Sequence, residues 1–245
     1  MKFNKSVYAY ESTIIEMNLQ QLTSYLTTER SDTPEVISFR ATRRAIGMLG
    51  VALPFVLWWG GLLINRTALQ PSISHYYFTS MREAFVGVLC AVSLFLFTYK
   101  GYNKMDSYAA NAAGFFSLMV AVFPTNIIDG YPGQNMVASI LDIKIHNAIH
   151  LTSAGLFFIT LACMSLFLFT KSDKPKSQWS DARKSRNVVY KVSGWIMLLC
   201  IILIGISEPL LGVGKTSKIT FAMETVALFF FGISWLTKGD VVFGD

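Results

Sequence analysis

The chain has 245 residues, of which 53% are hydrophobic and 15% charged, with a formal net charge of +6. About a quarter of the residues in an ordinary soluble domain are charged, so this composition, with a mean hydropathy of +0.45, excludes that class. The positive surplus reads as cationic loops facing an anionic membrane leaflet and not as a nucleic-acid footprint. The cysteines Cys90, Cys163 and Cys200 stand far apart inside apolar blocks, which excludes a disulfide frame or a cysteine metal knuckle.

The first 40 residues are polar and carry no cleavable secretion signal, so the first apolar block is expected to stay as an anchor. Within them Ile15, Leu19, Leu22 and Leu26 recur at helical spacing, and Pro34 is expected to end that helix. The acidic residues Glu11, Glu16 and Glu29 favour a cytoplasmic protein partner, bound through residues 11–29, over an anionic lipid surface.

Residues 41–240 are predicted to form a bundle of six transmembrane helices, each needing about 20 apolar residues to cross roughly 30 Å of hydrocarbon. Ala45 to Ile64 is an uncharged run bracketed by Arg43, Arg44 and Arg66. Ala84 to Tyr99 is shorter and relies on flanking side chains reaching the interface. The others run from Ser107 towards Ile128, from about Asn147 to Thr170, from Lys191 to Glu208, and from Ile219 to Thr237, the last with Glu224 inside.

Six crossings put both ends on one side. With the N-terminus in the cytoplasm, sixteen Lys and Arg face inward and five outward, so both termini are expected inside. Residues 171–191 then form a basic cytoplasmic loop. An internal echo accompanies this pattern: Ser93 to Thr98 and Ser165 to Thr170 are the same six residues. Ser234 to Gly239 ends comparably, which suits three parallel hairpin repeats.

The candidate chemistry gathers at the outer end. His146 and His150, four residues apart, share one helix face within reach of one ion; with His75 they are the candidate metal ligands, zinc being the candidate cofactor, and Asp142 extends the face. Glu224 lies within a span, where a carboxylate must be neutral or paired; Arg82 is its expected partner and His150 the other candidate. Tyr76, Arg82, Glu83, Glu208 and Glu224 form the candidate ligand-binding set of an outward-facing polar pocket. Two motifs fail. Gly212 to Ser217 resembles the end of a phosphate-binding loop, but Pro209 occupies the position of its first glycine. Asp129 to Gly133 is a turn without the alternating oxygen ligands of a calcium loop.

The run Ser72 to Gly87, the segment Thr98-Tyr-Lys-Gly101 and the ending Glu224 to Gly239 resemble a group of small bacterial multi-pass membrane proteins. The resemblance covers residues 45–240 and implies a bacterial inner-membrane setting without an activity. The order Ser72, His75, Glu83, His146, His150 is also similar to the zinc motif of the alkaline ceramidase and adiponectin-receptor superfamily. Here the serine stands three residues before the histidine instead of four, and the histidine pair opens the fourth span. Three functions are therefore carried forward. The first is binding or passage of a small solute, ion or lipid by a non-enzymatic membrane protein, which membrane lipids surround and which is a candidate homo-oligomer. The second is a zinc-dependent hydrolase of a lipid amide or ester, and the third an effector of a cytoplasmic protein.

Overall fold

The computed structural model describes residues 33–101, 104–135, 143–172, 175–207, 209–210 and 212–240. All regular structure among them is helical. The six long helices are α1 (Thr33–Asn65), α2 (Arg82–Thr98), α3 (Lys104–Val122), α4 (Ile143–Cys163), α5 (Asp181–Ser207) and α6 (Ile219–Lys238). A 3-10 turn, Ser74–Phe78, precedes α2, and α4 runs on into a π turn over Met164–Leu168. Pro34 stands in the first turn of α1, where its missing N–H costs nothing because that turn has no internal acceptor for it. The stripe from Ile15 to Leu26 lies outside the described residues.

Four stretches are long and apolar enough to cross a membrane: Phe39–Asn65, Lys144–Leu168, Asp181–Ser207 and Ile219–Lys238. α2 and α3 do not reach that standard. α2 has 17 residues, about 25 Å at 1.5 Å each. The 19 residues of α3 include Lys104 and Asp106 in the first turn and Asn111 further along. Both still turn large apolar side chains outward, with Leu94 of α2 65% exposed and Phe115 of α3 50% exposed. So do the longer helices, with Leu63 of α1 at 81% and Trp195 of α5 at 64%. Such a girdle is costly against water and favourable against lipid.

Consecutive helices pack as neighbours from α2 to α6, and α4 also touches α6. Lipid offers apolar groups no gain on leaving it, so helix contacts in a bilayer depend on close backbone approach and on hydrogen bonds between helices. Both occur here. A Cβ on Gly232 of α6 would come 2.7 Å from the carbonyl oxygen of Gly47 on α1, so only glycine permits this crossing. Ser93 donates to Gly114 O at 2.7 Å and Ser117 returns a bond to Leu89 O, tying α2 to α3. Ser165 donates to Tyr190 O of α5 and lies 2.7 Å from Ser234 Oγ of α6.

Candidate functional site

Residues 67–81, between α1 and α2, contain no Asp, Glu, Lys or Arg, which is unusual for a linker. The reason is that the segment is buried. Gln70, Ser72, Ile73, Ser74, Tyr76 and Phe78 are all under 9% exposed. A buried irregular segment must find partners for its main-chain groups, and α6 and the loop after α3 supply several of them.

Phe221 at the start of α6 donates its N–H to Pro71 O at 2.9 Å. One turn further on, Glu224 Oε2 accepts the Ile73 N–H at 2.6 Å. Ser74 Oγ lies 2.8 Å from His150 Nε2, and His150 Nδ1 lies 2.6 Å from Phe123 O. A carbonyl can only accept, so Nδ1 donates to Phe123 O, and the Ser74 hydroxyl, which can donate or accept, completes the pairing of the ring at Nε2. Lys218 donates to Leu69 O, as does the Tyr131 hydroxyl, and the Lys218 ammonium sits 4.4 Å from the Tyr131 ring centre. Gln134 donates to Gln70 Oε1, which completes the fastening.

Two spaces flank this segment. On one side is a pocket of about 370 Å³ whose wall includes Asn65, Thr67, Tyr77, Ser80, Arg82 and Glu83. Arg82 donates to Tyr77 Oη at 3.2 Å and lies over that ring, while Glu83 is exposed. On the other is an apolar cavity of about 40 Å³. Glu224, Ser74 and Ile73 meet there with Phe85, Phe157 and Leu228. That volume exceeds the minimum for one water.

The expected site residues thus fall into separate places. Arg82 and Glu83 share the larger pocket, whereas Glu224 lines the smaller apolar cavity and takes a backbone N–H where an arginine was expected. Tyr76 is fully buried against Phe221 and lines neither space; burial pushes its phenol up to about 12. Glu208 and Asp142 lie outside the described residues. His75 has its Nδ1 2.6 Å from Ser72 Oγ. Burial lowers its pKa to about 4, helped by His150 and Lys218, with the Asn126 main chain acting in the opposite direction. Burial also lowers Lys218. His146 is buried edge-on to the Phe123 ring at 5.3 Å. Among the described residues no three His, Cys, Asp or Glu side chains are grouped to hold a metal ion.

Sequence reasoning missed Ser74, Gln70, Lys218 and the Ile73 amide. Their signal was the uncharged linker itself, since fifteen residues without a formal charge between Arg66 and Arg82 mark a loop that water does not reach.

Together these features define an all-helical protein with four helices long and apolar enough for a membrane and a polar segment folded into one end of the bundle. Neither a family model, nor a curated protein, nor a solved structure matches this chain.

Proposed function

We propose that this is a six-span protein of the bacterial inner membrane, with both termini cytoplasmic, that binds a small polar solute from the outer side as a receptor or as a step in passage. The observation that carries the reading is the larger pocket, in which Arg82 and Glu83 place opposite charges side by side at the mouth of α2. Asn65, Thr67 and Ser80 add hydrogen-bonding groups to the same wall. Few convergent polar groups on a preformed concavity are the usual form of a small-molecule site. An anion and a cation one residue apart suit a zwitterion about the size of an amino acid.

Glu224 enters this reading as a fastener. The segment that forms the pocket wall at Tyr77 and Phe78 is tied to α6 through the Ile73–Glu224 bond four residues earlier. A solute that pulls on Tyr77 or Arg82 therefore acts on a strap anchored between α4 and α6. The outward apolar girdle on α2 and α3 supports counting both as spans, their shortness being met by tilt of neighbours and local thinning of the bilayer.

The test is a thermal-shift screen of the purified protein against amino acids, betaines and polyols. At least one zwitterion is expected to raise the unfolding midpoint, with the shift lost in Arg82→Ala and reduced in Glu83→Gln. No shift from any zwitterion, or a shift that survives both substitutions, would sink the reading.

A further inference from the structure

Five of the six long helices send side chains to the cavity of about 40 Å³ beside the buried segment: Leu53 of α1, Leu89 of α2, Val120 of α3, Phe157 of α4 and Leu228 of α6. Among the described residues that line it, two have polar side chains, Glu224 and Ser74. Both are held by other groups of the chain. The Ile73 N–H reaches Glu224 Oε2 at 2.6 Å, and Ser74 Oγ lies 2.8 Å from His150 Nε2, whose ring donates from Nδ1 to Phe123 O. The carboxyl group and the hydroxyl are therefore positioned at the wall before anything enters.

Three phenylalanines belong to the same wall, Phe85 from α2 and Phe157 and Phe158 from α4. Phe85 packs edge-on against Tyr77 with ring centres 6.5 Å apart, and Phe157 lies 5.6 Å from Phe158 and 6.4 Å from Phe231. A carboxylate, a hydroxyl and aromatic rings around one small space are the groups that recognise an ammonium cation. The oxygens accept its N–H groups, and the ring quadrupoles attract its charge. A carboxylate in an apolar wall is costly unless it is neutral or a cation accompanies it. The chain's own cations at this end turn elsewhere, Arg82 to Tyr77 Oη and Lys218 to Leu69 O. Residues 136–142, 208 and 211 include no Lys or Arg.

We propose that this cavity binds an ammonium cation, with Glu224 as the counter-charge, Ser74 as a second acceptor and the three phenylalanine rings beside it. An ammonium group is about the size of a water molecule, and the cavity exceeds the space that one water needs. Two sources share that chemistry, the free ammonium ion and the protonated end of a primary amine. The site is separate from the Arg82 pocket and stands whether or not a zwitterion binds there.

The experiment measures unfolding midpoints of the full chain in nanodiscs while sodium chloride is exchanged, at constant ionic strength, for the chloride of ammonium, methylammonium or tetramethylammonium. A saturable rise with ammonium alone identifies the free ion, and a rise with methylammonium identifies the amine end. Tetramethylammonium carries four methyl groups and no N–H, so it is expected to give no rise. Glu224→Gln is expected to weaken the apparent Kd about tenfold, the factor for loss of a charge-assisted hydrogen bond. Ser74→Ala is expected to weaken it about threefold, the factor for a neutral one. Glu224→Gln keeps an oxygen for the Ile73 N–H and so remains compatible with folding. Asp181→Asn, which removes an exposed carboxylate of α5, is expected to leave binding unchanged. No rise with ammonium or methylammonium overturns the proposal, as does an equal rise with tetramethylammonium. A rise that survives Glu224→Gln, or that Glu83→Gln abolishes in its place, overturns it too.

Discussion

The two ends of the bundle handle buried polarity in opposite ways. At the Glu224 end, segment 67–81 carries no formal charge, and its groups are fastened by hydrogen bonds: Ile73 N–H to the Glu224 side chain, Ser74 to the His150 imidazole, Leu69 O to the Lys218 ammonium and the Tyr131 hydroxyl. At the Lys238 end, cations lie over aromatic rings, Arg43 over Tyr99 and Lys238 over Phe169. The first end is a network closed upon itself, whose open space is the pocket beside it. The second is a cluster of cations set against aromatic rings and carbonyl oxygens. Low dielectric strengthens both.

Acid should break the first end before the second. The folded His75 holds its pKa at about 4 against an ordinary 6.5, so below 6.5 the unfolded chain binds a proton that the folded one refuses. Stability is therefore fully present above pH 6.5 and lost on acidification through the window down to pH 4, by up to about 3 kcal/mol. Denaturant melts across that window should show the slope, and His75→Gln should flatten it.

A smaller effect separates Glu224 as an acceptor from Glu224 as a charge. Replacing it with Leu leaves the buried Ile73 N–H without a partner, an expected loss of about 2 kcal/mol. Glu224→Gln keeps an oxygen in reach and should cost under about 1 kcal/mol. Equal losses in the two variants would mean that the charge, not the acceptor, matters. Smallest of all is the exposed bridge at the other end: Arg40→Gln should change stability by about 0.5 kcal/mol, because Arg40 is more than half exposed and the pair is screened.

Helix positions were largely legible from the hydrophobic runs, because burial in lipid selects for uninterrupted apolar sequence. The identical hexapeptides show where that reading stops. Ser93 to Thr98 stays α-helical with Leu94 exposed, whereas the matching residues from Ser165 pass through a π turn that buries Leu166. The difference lies in the neighbours: Gly194 of α5 lets Leu166 press against its backbone, and Ser165 is held from two helices at once. Local sequence cannot encode that.

The candidate site was half legible for a similar reason. Arg82, Glu83 and Glu224 stood out as charges in an apolar chain, but depth along a helix does not say which way a side chain turns. Arg82 faces Tyr77 and Glu224 faces Ile73, on opposite sides of one buried segment. The partners that decide this are main-chain groups and uncharged residues such as Ser74; the charge-free composition of the linker marks it as buried but does not say which of its groups meets which helix.

The threading of the helices through a bilayer, with these two ends on opposite sides, is tested most directly by labelling single cysteines in intact cells. In a chain with Cys90, Cys163 and Cys200 replaced, Glu83→Cys at the pocket and Lys184→Cys on α5, both exposed positions, are each treated with a membrane-impermeant maleimide. The expected result is labelling of the first in intact cells and of the second only after lysis. Labelling of both before lysis, or of Lys184→Cys alone, would contradict the arrangement.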